Sequence, residues 1–224
     1  NVTTSGRQAL NGNSSAPAMS LDGNVIAFES AANNLVPGDG NGVVDVFVRS
    51  AYYGSTQRAS VGPGAVPAGA SSHQPAVSGT GRYVAFLSFA GNLDATVATS
   101  PAIFMHDARY FTRELVSYSV NGNTGADGSS RHASLSRDGL VVAFESAATN
   151  LVNGDTNGLF DVFAADRGQG GRSRVSVASD GSQGNGGSRD ASISGEGRYV
   201  AFYSEATNLV PGDTNARPDI FVRD

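Results

Sequence analysis

The dipeptide Ala-Phe stands at Ala27-Phe28, Ala85-Phe86, Ala143-Phe144 and Ala201-Phe202, so a spacing of 58 residues is kept throughout the chain. Such a period constrains a chain more than its composition does. Each copy is one supersecondary unit that cannot bury its apolar face alone and must stack on its neighbours. Other positions recur in phase. A Ser precedes each Ala by seven residues (Ser20, Ser78, Ser136, Ser194) and a Gly precedes it by four (Gly23, Gly81, Gly139, Gly197). A Ser follows by three, an Ala by five, and then an Asn-Leu pair (Asn34-Leu35, Asn92-Leu93, Asn150-Leu151, Asn208-Leu209).

Each unit reads as four short strands, because its apolar segments are brief, lack helical spacing and are parted by Gly, Asn, Asp and Ser clusters. In the fourth unit the first strand is expected at Asp190 to Ser194 and the second at Arg198 to Ser204, with Gly195-Glu196-Gly197 as a tight turn between them. Leu21-Asp22-Gly23 and Arg137-Asp138-Gly139 are the matching turns, and Asp-Gly suits a hairpin that needs positive φ. The third strand is expected at Asp219 to Arg223 and the fourth, between units three and four, at Arg174 to Val177. Repeated four-stranded antiparallel sheets, each covering the next, describe a β-propeller. The expectation is one all-β domain over residues 1–224, a four-bladed propeller of four-stranded antiparallel blades. Four units exceed the chain by eight residues, and Asn1-Val2-Thr3-Thr4 aligns near the fourth-strand segment. The N-terminal strand is therefore expected to complete the last blade and close the ring, which would leave no open sheet edge. A longer array, or two chains forming an eight-bladed ring, are the alternatives.

The run Ser-x-Asp-Gly-x-x-Val-Ala-Phe, followed by Asp-Val-Phe-Val-Arg, resembles the TolB-like propeller repeats of bacterial envelope and secreted proteins, relatives of the Trp-Asp repeats. Blades two and four depart from it at Ser78-Gly79-Thr80-Gly81 and Ser194-Gly195-Glu196-Gly197, where the turn Asp is replaced. The resemblance implies a fold and an extracellular or periplasmic location. It does not choose between a non-catalytic scaffold and a gating domain of a peptidase.

Composition excludes several classes. With no Cys there is no disulfide framework, thiol nucleophile, zinc finger or iron–sulfur site. All 15 basic residues are Arg against 20 acidic ones, and a net charge of -5 speaks against a nucleic-acid or anionic-membrane partner. No apolar run reaches the ~18 residues of a spanning helix, and Asn1 to Leu10 carries no export-signal pattern, so a soluble chain without membrane insertion is expected.

In an up-and-down blade the linker into the first strand and the loop between strands two and three share one end. Both are long here, so that end carries most of the elaboration, and binding residues concentrate on such loops. The second kind of loop holds Asp-x-Asn-x-x-x-Asp: Asp39, Asn41 and Asp45; Asp155, Asn157 and Asp161; Asp213, Asn215 and Asp219. Alternating side-chain oxygens with a later carboxylate suit calcium, and the spacing resembles the calcium loops of integrin-type propellers, with the second Asp-Gly missing. The competing reading is local Asx turns with the closing Asp capping the third strand. Blade two lacks the motif over Asp94 to Ala102, so the fold does not require it.

His73 and His132 fall where the chain enters the first strands of blades two and three, and His106 near the end of a third strand; no zinc-ligand spacing joins them. No Gly-x-Ser-x-Gly elbow is present. Glu29 and Glu145 share a repeat position and read as solvated or loop-bonding residues. Tyr52, Tyr53, Tyr110 and Phe111 occupy the turns after the third strands of blades one and two, off the core pattern, and are candidate contact residues.

The first reading is therefore a non-enzymatic secreted or periplasmic binding module, monomeric or homodimeric, that offers its long-loop end to a protein or glycan, with calcium as the one cofactor the pattern suggests. A carbohydrate-active enzyme, a glycosidase or lyase with channel-mouth carboxylates, is the second. A structural module that pairs chains through the aromatic turns is the third.

Overall fold

A computed structural model describes residues 1–97, 101–215 and 217–224. Residues 98–100, in the blade-two loop, and Ala216, inside the fourth-unit acidic motif, lie outside the described residues. Blade one comprises β1 (Ser14–Met19), β2 (Val25–Ser30), β3 (Asp45–Ser50) and β4 (Ser55–Arg58). Blade two comprises β5 (Ser72–Val77), β6 (Tyr83–Ser88), β7 (Ala102–Asp107) and β8 (Thr112–Leu115). Blade three comprises β9 (Ser130–Leu135), β10 (Val141–Ser146), β11 (Asp161–Asp166) and β12 (Gly171–Arg174). Blade four has β13 (Ser188–Ile193), β14 (Val200–Ser204) and β15 (Asp219–Arg223). Every sheet is an antiparallel meander in chain order, as the repeat predicts.

The recurring residues explain why the units fold alike. Each turn serine accepts the amide at the entrance to the second strand, from Val25, Tyr83 and Val141, which open β2, β6 and β10, and from Tyr199, just before β14. Each Asn of the Asn-Leu pair donates to a carbonyl of the incoming linker, at Gln8, Pro67, Gly125 and Gln183. The same Asn accepts an amide from that linker at Leu10, Gly69, Asp127 and Asn185. The long-loop end is thus stitched by one repeated amide side chain, which satisfies loop backbone groups that a ladder cannot reach.

Blades pack face to face. Ala27, Val46 and Val48 of blade one meet Val84, Phe86 and Phe104 of blade two. Ala85, Ile103 and Met105 meet Val142, Phe144 and Phe163. Ala143 and Val162 meet Val200, Phe202 and Phe221. Within each blade a stacked Phe pair spans strands two and three, at centroid separations of 5.8 to 6.0 Å. Second strands apolar on both sides are expected of a sheet covered on both faces.

Two expectations need correction. The fourth strand ends at Arg174, not Val177; Val175 and Ser176 both turn their amides to the Val162 carbonyl, and Ser176 Oγ is held by Asp161 at 2.6 Å, so the ladder breaks there. Val177 pairs instead with Gln183 in a small linker bridge, repeated at Val61 with Pro67, Tyr118 with Gly125 and Val2 with Gln8. Asn1 to Thr4 is therefore the counterpart of a linker, and it does not complete blade four. It lies on blade one, where Thr4 Oγ1 accepts from the Thr56 amide at 3.0 Å, Thr56 Oγ1 donates to the Val2 carbonyl at 2.6 Å and Arg49 donates to the Thr3 carbonyl at 3.1 Å. Blade four keeps three strands, its outward Ile220 and Val222 are exposed, and the four blades form an open arc.

Candidate functional site

The first strands of all four blades line the inner side of the arc, and each is interrupted by a β-bulge. The bulged residue is Ala16, Gln74, His132 or Asp190, 58 residues apart, with φ of 47°, 53°, 50° and 57°. Left-handed backbone in a residue other than glycine costs on the order of 1–3 kcal/mol and persists only where its surroundings impose it. Bulges of this kind re-aim side chains next to functional sites.

The surroundings are a chain of side-chain bonds from blade to blade. Glu29 Oε1 accepts the Gln74 amide at 2.6 Å, Gln74 Oε1 accepts the His132 amide at 3.1 Å, and Glu145 Oε1 accepts the Asp190 amide at 2.6 Å. Glu29 also meets His73 Nδ1 at 3.1 Å. Glu145 also meets His132 Nδ1 at 3.1 Å and accepts Arg131 Nε at 2.8 Å. Glu145 is 0% exposed, so it is not a solvated residue. Its second expected role, bonding a neighbouring segment, is the one the geometry displays. A buried carboxylate of this kind is sustained by paired charge and several donors.

His132, Glu145 and Asp190 bring donor atoms within 4.8 Å of one another. Both Glu145 oxygens are already engaged, Oε2 by the Arg131 guanidinium and Oε1 by the His132 imidazole and the Asp190 amide, so the group does not suit a metal ion. The cluster was hidden from sequence reading because the bulge positions carry four different side chains. Only their constant spacing, with Glu recurring at 29 and 145, could have pointed to it.

The acidic loops are a second device. Arg58, from the end of β4, lies between Asp39 at 2.8 Å and Asp45 at 3.1 Å, all three side chains being buried. Asn41 donates to Asp45 at 2.8 Å and to the Ala68 carbonyl at 3.0 Å, and Ser60 Oγ donates to Asp45 at 2.5 Å. Blade three repeats this with Arg174 at 3.2 Å from Asp155 and 3.5 Å from Asp161, Asn157 donating to Asp161 at 3.0 Å, and Gln183 donating to Asp155 at 3.0 Å. Burial pushes the Asp39 and Asp155 carboxyls up from their ordinary values, opposed by the paired arginine. The guanidinium stands where a cation would, and an amide nitrogen points at the closing carboxylate, so these two loops do not fit calcium. In blade four Asn215 again donates to Asp219, at 3.0 Å.

The aromatic candidates are exposed as expected, but at the tight-turn end, opposite the long loops. Tyr52 and Tyr53 meet edge to face at 4.9 Å, Tyr110 lies under the Arg82 guanidinium at 5.0 Å, and Phe111 faces His106 at 6.4 Å. Among the described residues no ring pair joins the two turns. Phe111 and His106 line a groove of about 540 Å³ between blades one and two. His106 is buried, both ring nitrogens lack a partner among the described residues, and burial pushes it down to about 4. Among the described residues no helix is long and apolar enough to cross a membrane.

No protein-family model matches the chain, and no curated protein matches it. Solved structures do. TolB from Acinetobacter baumannii is similar over 95% of this chain and 41% of its own, with 15% identity and a TM-score of 0.53. A prolyl endopeptidase is similar over 95% of this chain and 28% of its own, with 12% identity and a TM-score of 0.56. The β-propeller domain of the trilobed protease from Pyrococcus furiosus is similar over 97% of this chain and 56% of its own, with 10% identity and a TM-score of 0.52. The chain thus spans between about a quarter and somewhat over half of these structures, and at such identities the likeness carries the fold, a TolB-like β-propeller.

Proposed function

From a TolB-like propeller fold with its ionisable groups arranged in this way, we propose that the chain is a non-catalytic binding module, acting outside the cytoplasm, that presents its long-loop end to a protein or glycan. One observation carries this reading: the buried carboxylates are committed to one another's neighbours. Glu145 is engaged by three donors, and Asp39 and Asp45 are paired with Arg58, while Arg189 and Asp190 stay exposed at the lip of the inner strands. A carboxylate pair in hydrolysis needs an acid and a base or nucleophile facing one substrate, and a fully buried Glu145 cannot face it. Neither Glu145 nor Asp190 lines the groove of about 580 Å³ between blades three and four or that of about 540 Å³ between blades one and two.

The test is binding to arrayed glycans and to immobilised envelope proteins. Arg189→Ala and Asp190→Asn are expected to weaken a detected interaction at least tenfold, which corresponds to about 1.4 kcal/mol, with the thermal midpoint unchanged. Turnover of a glycoside or peptide that disappears in Glu145→Gln would establish the enzyme reading instead. Calcium has no part in this proposal for blades one and three. With the blade-four loop removed from the comparison by Asp213→Ala and Asp219→Ala, millimolar calcium and a chelator should give the same unfolding midpoint, since only a ligand of the native state raises it.

A further inference from the structure

In each of the first three blades, strands two and three turn one apolar face onto the next blade. The positions filled by Val25, Ala27, Val46 and Val48 in blade one are filled in blade four by Tyr199, Ala201, Ile220 and Val222. Val46, and its counterparts Ile103 and Val162, are wholly buried, whereas Ile220 is 70% exposed and Val222 67%. One surface of this chain thus has the composition of three buried junctions and no cover. Contiguous apolar faces of this kind mark contact surfaces.

Blade one carries the complementary half. Its stacked Phe28 and Phe47 correspond to the Phe pairs that blades two, three and four press against the preceding blade; here Ala9, Ala32, Leu35 and Val36 already bury them, while Ile26 beside them is only half-buried. Met19 is 64% exposed, while Ile193, at the same position of blade four, is buried by blade three. The turn glycines show the missing neighbour most directly. A Cβ on Gly81, Gly139 or Gly197 would stand 2.7, 2.5 or 2.9 Å from the preceding blade's Val25, Tyr83 or Val141. At Gly23, among the described residues, it would meet nothing but Met19 of its own blade, at 3.8 Å. Gly23 is a vacant seat, and Tyr199 is the side chain whose counterparts fill the other three.

We propose that blade four of one copy docks on blade one of a second copy, head to tail, with Tyr199 seated over Gly23 and Ile220 and Val222 packed toward Ile26 and Met19, Ile26 holding the place that Val84, Val142 and Val200 hold at the other junctions. The contact is heterologous, so it either closes on a small number of copies or extends. The N-terminal linker already lies on blade one as the other linkers lie on the blades they precede, so the junction needs no rearrangement there.

Light scattering and sedimentation of the wild-type chain over a wide concentration range provide the test. The expected result is a species of at least twice the chain mass. Ile220→Asp and Met19→Asp, both at exposed positions, should each reduce it to a single chain that still unfolds cooperatively, with a midpoint that no longer rises with protein concentration as the wild type's does. Mixing the two variants should restore a species of two chains and no more, because one intact blade-four face then meets one intact blade-one face. A wild-type chain of single mass at every concentration would overturn the proposal. Association that survives both substitutions, or fails to return on mixing, would overturn it equally.

Discussion

Blade one and blade two have the same strands, the same turn serine and the same Phe pair, yet they lock the start of the third strand by different chemistry. In blade one Asp45 opens β3 opposite Ser30, and Arg58 pairs across from Phe47 to neutralise Asp39 and Asp45. In blade two the same places hold Ala102 opposite Ser88 and Leu115 opposite Phe104. The acid and the arginine are lost together. The propeller blade therefore does not depend on the acidic motif. Where the carboxylates are buried, as in blades one and three, an arginine from the outer strand accompanies them, because an unpaired buried charge is far costlier than an apolar substitute.

The largest expected effect tests this directly. Arg58→Ala leaves buried carboxylates unpaired and should destabilise the chain by about 3–5 kcal/mol in urea unfolding. Arg58→Leu combined with Asp39→Ala and Asp45→Ala brings in the blade-two chemistry and should recover most of that loss. A triple variant as unstable as Arg58→Ala would break the comparison, for the motif would then hold something besides its own arginine.

Blade two has its own unpaired group. His106 occupies the place of Arg49, and burial depresses it to about 4 from its ordinary 6.5. The folded chain then binds fewer protons at this site than the unfolded chain between those values. Its contribution is complete above pH 6.5 and is lost as pH falls toward 4, with a slope of up to about 1.4 kcal/mol per pH unit. His106→Phe should flatten that part of the stability profile relative to the wild type. Parallel profiles between pH 7 and 4.5 would show that His106 is not desolvated.

The smallest effect separates the two blades at their turns. Gly23 and Gly81 have φ of 73° and 74°, so alanine at either incurs a left-handed penalty of about 1–2 kcal/mol. Only at Gly81 would the new methyl also meet Val25, at 2.7 Å, adding about 1–3 kcal/mol of overpacking. Gly81→Ala should be clearly the worse in thermal unfolding of dilute protein. Equal losses would mean that Gly23 is already covered, as in a head-to-tail assembly.

Much of the fold was legible because it rests on local signals repeated in phase. Alternating apolar runs, the serine that closes each tight turn and the Asn that stitches each loop all act within one blade or onto its linker, and all recur at 58-residue intervals. β15, expected at Asp219 to Arg223, spans those residues for that reason. The strand expected at Arg174 to Val177 ends at Arg174 because Val175 and Val177 carry strand-like side chains while the Val162 carbonyl, on the adjacent β11, takes the Val175 and Ser176 amides out of the ladder. At the inner strands the signal was weaker still, since Ala16, Gln74, His132 and Asp190 share a conformation and no chemistry.

The amino-acid sequence by itself determined a repeated four-stranded antiparallel unit, its turns, its core phenylalanines and the end at which its long loops gather. These follow from backbone propensity and side-chain period, which act over a few residues. Tertiary structure decided what the charged groups do and whether the arc closes. Arg58 reaches Asp39, Glu145 reaches the Asp190 amide, and Thr4 reaches Thr56, each across a distance in sequence that no local pattern encodes. Burial then makes each pairing obligatory, because a carboxylate or amide withdrawn from water must find its partner wherever the fold has placed it.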